Sequence, residues 1–109
     1  MELFLLHWNE AELQEKLALL TGFNVRSHWS QEVLLDLKGY LPDAWIISLD
    51  RLPSHGRAIA EWIVEAKKRR EKPLIFVGGA PEKVEATKAK FPDACYCQWH
   101  ELPSLLSTL

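Results

Sequence analysis

The chain has 109 residues, of which 48% are hydrophobic and 26% are charged, and this is enough for one domain with one core. Its net charge of −2 argues against nucleic acid or an anionic membrane as an obligatory partner. No apolar stretch approaches the ~20 residues needed to cross a bilayer. The apolar start over residues 1–6 is too short for a signal peptide. We therefore expect one cytoplasmic domain over residues 1–109.

Four short apolar runs and the more polar segment 24–28 predict five β-strands along the chain. They cover residues 2–8, 24–28, 44–49, 74–77 and 94–98. The run at 44–49 is continuously apolar, which is typical of a strand covered on both faces.

Helical patterns separate these runs. Asn9 and Glu12 have the spacing of a capping box at the start of the first helix, and Gly22 is placed to stop it. Ser30 is placed to cap a second helix, whose apolar face comprises Val33, Leu34, Leu37 and Leu41. A third helix is predicted over residues 57–71, a fourth from Pro81, and a short last one within 101–109. Strands that alternate with helices in this way predict an α/β domain with a parallel sheet.

The two cysteines, Cys95 and Cys97, fall on the predicted fifth strand. We expect them to point to opposite faces of that strand and therefore not to form a disulfide with each other. A lone Cys-x-Cys pair is a weak metal signal, and no metal site is predicted.

Residues 42–56 are the most informative stretch: Pro-Asp, an apolar strand ending in Ser48, and then a loop with Pro53 and Gly56. This stretch resembles the centre of a response-regulator receiver domain of the CheY-like family. The resemblance extends over nearly the whole chain. It implies a flavodoxin-like three-layer α/β/α sandwich with a five-stranded parallel sheet in the order 2-1-3-4-5.

The same resemblance implies where a phosphorylation site would lie. Receivers hold Mg²⁺ with two acidic residues after strand one, end strand three in the phospho-acceptor Asp, end strand four in Ser or Thr, and end strand five in Lys. The matching positions here are His7, Trp8, Asn9, Ser48, Gly78 and Trp99. A Ser hydroxyl cannot form the acyl phosphate, so we expect no phosphotransfer. The sequence has no P-loop, and Ser48 lacks the Gly-x-Ser-x-Gly setting of a nucleophile, so we also expect no enzymatic activity. Asp50 as a displaced acceptor, with Glu10 as a metal ligand, is a minor alternative.

A receiver-like domain without this switch is expected to act by protein contact, as a signalling or regulatory interaction module without a cofactor. In receivers, the face formed by helix four, strand five and helix five commonly carries partner contacts. Because the last helix is short, we expect apolar surface to stay bare on this face, which would favour a homodimer. Here this predicted interface comprises Val84, Thr87, Phe91, Leu102, Leu105 and Leu106.

A second hypothesis is a ligand-binding domain, because histidines and tryptophans follow the predicted strands. Such a rim suits an anion, a metal or a planar cofactor. The candidate ligand rim comprises His7, Trp8, Asp50, Arg51, His55, Gly78, Gly79, Trp99 and His100. His28, on an outer strand, is not expected to reach the distant histidines. Two segments, Ser48-Leu49-Asp50 and Gly78-Gly79, are together also similar to a pattern of cobalamin-binding domains. The Asp and Gly that lie upstream in that pattern are absent from this chain.

Overall fold

The computed structural model describes residues 1–30, 36–51 and 53–109. The core of the predicted second helix, with Val33 and Leu34, lies outside this part of the chain, whereas Leu37 is buried and Leu41 is exposed. In chain order the elements are β1 (Glu2–Leu6), α1 (Glu10–Ala18), β2 (Asn24–His28), β3 (Ala44–Ser48), α2 (Pro53–Glu65), α3 (Lys67–Arg70), β4 (Leu74–Val77), α4 (Pro81–Lys90), β5 (Cys95–Cys97) and α5 (Leu102–Ser107). A 3₁₀ turn at Trp99–Glu101 precedes α5.

The five strands form one all-parallel sheet in the order β2-β1-β3-β4-β5, as predicted. All five residues of the central strand β3 are buried, which explains its continuous apolar run. β4 has the predicted bounds, and β1, β3 and β5 are one or two residues shorter than predicted.

Helices cover both faces of the sheet. On one face, α1 and α5 contribute Leu13, Leu102 and Leu106 to a cluster with Leu3 and Ile46. The other face is covered by a second cluster, in which α2 and α4 pack on β1, β3 and β4 through Phe4, Trp45, Ile47, Ala60, Ile63, Phe76, Val84 and Phe91. The fold is therefore the predicted flavodoxin-like three-layer sandwich. No helix in the described ranges is both long and apolar enough to cross a bilayer.

The predicted third helix is wrong in its bounds, because it begins earlier and is broken at Ala66. Ala66 is extended, with φ −112° and ψ 136°. The buried indole of Trp45 donates from Nε1 to the carbonyl oxygen of Arg69 at 3.0 Å, and Arg69 donates from Nε and Nη2 to the carbonyl oxygen of Trp62 at 3.0 and 2.7 Å. These bonds hold α3 against β3 and α2, so tertiary contacts stabilise the arrangement on either side of the break.

The prediction that Cys95 and Cys97 point to opposite faces is also wrong. Both thiols are free and pack against the cluster that contains Leu3, whereas Tyr96 between them packs against the opposite cluster. Strand side chains alternate, so residues two apart share a face.

Candidate functional site

The candidate site lies at the edge of the sheet where the parallel strands end. His7 follows β1, Ser48 ends β3, Gly78 follows β4 and Trp99 follows β5. The structure brings these four positions together, as the receiver resemblance implies, and we call them with Glu12 and Asp50 the carboxyl-edge cluster.

Ser48 and His7 form the centre of this cluster. Both side chains are completely buried, and Ser48 Oγ lies 2.7 Å from His7 Nδ1. Ser48 Oγ also accepts a hydrogen bond from the backbone N–H of Asp50 at 3.2 Å. The hydroxyl is thus held from two sides inside the protein.

Glu12 completes the chain of contacts on the other side of the imidazole. His7 Nε2 lies 2.8 Å from Glu12 Oε1, and Arg51 pairs with the same carboxylate. Hydrogen bonds from Arg51 and from His7 lower the pKa of Glu12 to about 2, so the carboxylate is ionised at neutral pH and can only accept. Nε2 therefore carries a proton, and in the neutral imidazole Nδ1 accepts from the Ser48 hydroxyl.

Asp50 is bound on the opposite side of the cluster. Its Oδ1 accepts from the backbone N–H of Gly79 at 2.8 Å, and its Oδ2 accepts from Nε1 of Trp99 at 2.6 Å. Gly78, with φ +73°, leaves room for this carboxylate, because a Cβ added there would lie 2.5 Å from Oδ1. Trp99 also contacts His7 edge to face, with ring centroids 5.7 Å apart. The Trp99 indole, at the position that matches the lysine of receivers, therefore covers the cluster. Its hydrogen bond to Asp50 links the end of β3 to the end of β5.

Trp8 lies in a second group of aromatic residues at the same edge. Its ring meets those of His28 and His55 edge to face, each at a centroid distance of 5.8 Å. Trp8 Nε1 is buried and has no hydrogen-bond partner in the described part of the chain. Trp8 thus contacts one histidine on β2 and one on α2, and its buried donor is unpaired within the described residues.

The remaining candidate residues are Asn9 and His100. Asn9 caps α1 by accepting from the N–H of Glu12 at 3.0 Å, so half of the predicted capping box is confirmed, while the Glu12 side chain turns to His7 and Arg51 instead. His100 is exposed on the 3₁₀ turn. Within the described ranges, no group of three or more His, Cys, Asp or Glu side chains is placed to hold a metal ion.

The hydroxyl, imidazole and carboxylate of Ser48, His7 and Glu12 follow one another as in the relays that activate serine nucleophiles. The Ser48 side chain has 0% exposure, however, and the Trp99 ring packs against the imidazole. The hydroxyl is therefore closed to solvent in this arrangement, where it belongs to a buried polar network that joins β1, β3 and α1.

The predicted interface on α4, β5 and α5 contains mainly core residues. Thr87, Phe91, Leu102 and Leu106 are buried in the domain, and Val84 and Leu105 are half-buried. Four of the six side chains therefore offer almost no surface to a partner. Leu102 and Leu106 of α5 cover one face of the sheet, and Phe91 at the end of α4 packs on the other face.

Two members of the site were not predicted as such from the sequence. Glu12 appeared only as a capping residue, and Lys16, whose Nζ lies 4.8 Å from the centre of the Trp99 ring, carried no signal. Glu12 and Lys16 are four residues apart on α1 and so share a helical face, which is the one hint that both could meet the end of β1.

No protein-family model matches this chain, and no curated protein sequence matches it. The likeness to receivers therefore remains a resemblance carried by the chain's own residues, beside a fold that receivers share with many other families.

Proposed function

We propose that this chain is a receiver-like domain without a phosphorylation switch, which acts as a signalling or regulatory protein-interaction module. The observation that supports this most strongly is the fully buried hydrogen bond of 2.7 Å between Ser48 Oγ and His7 Nδ1. The position that matches the phospho-acceptor holds a hydroxyl instead of a carboxylate, and that hydroxyl is already bonded.

The neighbouring carboxylate is a poor substitute acceptor. Both oxygens of Asp50 accept hydrogen bonds from the domain itself, and Arg51 beside it is paired with Glu12. Phosphoryl transfer requires cations around the developing charge, and Trp99 stands where a receiver has its lysine.

Incubation with acetyl phosphate and Mg²⁺, followed by mass spectrometry of the intact protein, tests this proposal. We expect no phosphoryl adduct on the wild-type chain or on the matched Asp50→Asn variant. An adduct that is present in the wild type and lost in Asp50→Asn would identify Asp50 as a working acceptor and overturn the proposal.

A second candidate function is ligand binding at the carboxyl edge. It is favoured by the buried Nε1 of Trp8, which lies near His28 and His55 and has no hydrogen-bond partner among the described residues. A ligand with a hydrogen-bond acceptor would satisfy this donor. Metal analysis and an absorbance spectrum of the purified protein test this function. A bound species that is lost in His55→Ala would support it, and a clean spectrum with no metal would exclude a tightly bound chromophore or metal.

A further inference from the structure

A groove lies at the opposite edge of the sheet from the carboxyl-edge cluster, between residues 36–41 and the junction of α2 with α3. Its volume is about 980 Å³. We call it the basic groove, and the lining residues that matter here are Lys38, Tyr40, Leu41, Trp62, Lys67 and Lys68.

The floor of the basic groove is apolar and held in place. The Arg69 guanidinium lies 3.8 Å from the centre of the Trp62 ring while it donates to the carbonyl oxygen of the same residue. Trp62 also meets Trp45 edge to face at 6.1 Å, and Tyr40 does so at the same distance. Leu41, which is 44% exposed, extends this floor to the surface. A preformed aromatic and aliphatic floor suits a large apolar side chain.

The rim of the basic groove is cationic. Lys38, Lys67 and Lys68 are exposed, and none of them forms an ion pair with another described residue. Asp36, the one acidic residue of the lining, already accepts the backbone N–H of Lys38 at 3.0 Å. Three ammonium groups that pair with no acidic side chain of the described residues therefore surround this floor, in a chain whose net charge is −2.

We propose that the basic groove binds an acidic peptide segment of a partner protein, with one large apolar side chain on Trp62 and Leu41 and carboxylates beside the lysines. This inference rests on the proposed function as an interaction module and gives that module a surface and a class of partner. Charge complementarity favours it. A short acidic segment meets only the rim, whereas a long polyanion such as RNA would also meet the negative remainder of the surface.

Amide NMR titration of the full chain with a synthetic peptide tests the proposal. The probe carries one central Leu flanked by glutamates, and the control peptide has glutamines in their place. We expect shifts at residues 36–41 and 59–69 with the acidic peptide and little response to the control. Binding should weaken as salt rises, because the rim charges are exposed.

Charge-reversal variants locate the contact. Lys67→Glu with Lys68→Glu should weaken binding about tenfold at low salt, since each reversal replaces an exposed ion pair with a like-charge contact. The control pair Lys83→Glu with Lys88→Glu on α4 changes net charge equally and should alter the affinity less than about twofold. The proposal would be overturned if both variant pairs weakened binding equally, or if the glutamine peptide bound as tightly as the acidic one. It would also be overturned if an oligouridylate bound more tightly than the acidic peptide, or if the acidic peptide did not bind at all.

Failure here is distinct from failure of the proposed function. If acetyl phosphate leaves the chain unmodified and the acidic peptide does not bind, only the assignment of the basic groove is refuted. A phosphoryl adduct on Asp50 would remove the proposed function, whatever the peptide does.

Discussion

Replacing Ser48 with alanine removes the hydroxyl at the centre of the carboxyl-edge cluster. The Ser48 side chain is completely buried, and its oxygen bonds His7 Nδ1 at 2.7 Å and the N–H of Asp50 at 3.2 Å. Alanine leaves a buried imidazole nitrogen without a partner and adds almost no new apolar contact. Leaving one buried polar group unsatisfied costs about 1–3 kcal/mol, so we expect Ser48→Ala to lower the free energy of unfolding by about 2 kcal/mol.

Urea unfolding followed by circular dichroism measures this loss. With a slope near 2 kcal/mol per M, which is typical of a domain of this size, the midpoint should fall by about 1 M. The matched control is Ser107→Ala, whose exposed hydroxyl donates to the carbonyl oxygen of Pro103 at 3.0 Å. We expect the control to change stability by less than about 0.5 kcal/mol.

A double-mutant cycle separates the hydrogen bond from general packing. In a His7→Phe background the imidazole nitrogen is gone, so Ser48→Ala should cost about 1 kcal/mol less than it does in the wild type. The buried network does not contribute to stability if Ser48→Ala shifts the urea midpoint no more than Ser107→Ala does. The same conclusion holds if Ser48→Ala lowers the free energy of unfolding equally in both backgrounds.

Three further predictions concern single groups. Because the pKa of Glu12 is lowered to about 2 in the folded chain, its ionised form stabilises the fold above its ordinary pKa of 4.5, and this contribution is lost as pH falls from about 4.5 toward 2. The melting temperature across this pH range should depend less steeply on pH in Glu12→Gln than in the wild type. Identical slopes in the two proteins would contradict the assignment. Gly78→Ala should destabilise by about 1 kcal/mol more than Gly22→Ala. Both glycines have positive φ, but an added Cβ meets a carboxylate oxygen at 2.5 Å only at Gly78, so equal urea midpoints would refute the close approach. Burial raises the pKa of Cys97 to about 11, so in a Cys95→Ala variant its alkylation by iodoacetamide at pH 8 should be about a hundredfold slower than that of a free thiol. A rate equal to that of glutathione would show that the thiol is not protected.

The fold could be predicted from the sequence because its signals are local. The continuous apolar run over residues 44–49 marked the central strand, and the alternation of strands with helices fixed a parallel sheet. That Ser48 stands where the receiver resemblance would place a carboxylate was equally visible, since it depends on residue type at one position.

The break in the third helix could not be predicted, because its cause is a contact between distant residues. No proline or glycine lies beside Ala66 to indicate the break, and the bonds that hold α3 in place join Arg69 to Trp45 and to Trp62. The contact of Glu12 with His7 was missed for a similar reason, since the capping pattern gave Glu12 a local role that its side chain does not take.

The predicted interface shows a third limit of sequence reasoning. An apolar stripe on a helix says that one face is buried, but not whether the domain or a partner covers it. Thr87 and Leu106 are covered by the domain itself. Lys67 and Lys68 of the basic groove, by contrast, lie in the run of four cations at residues 67–70, and a charge run by itself indicates only a solvated surface.

The central claim is that this receiver-like fold has no phosphorylation switch, and a two-dimensional amide NMR titration with Mg²⁺ and then beryllofluoride tests it most directly. Beryllofluoride mimics a phosphoryl group on a receiver carboxylate. We predict that the amide signals of Ser48, Asp50, Arg51 and Gly78 keep their positions throughout the titration. Mg²⁺-dependent shifts centred on these residues would show a working acyl-phosphate site and contradict the account.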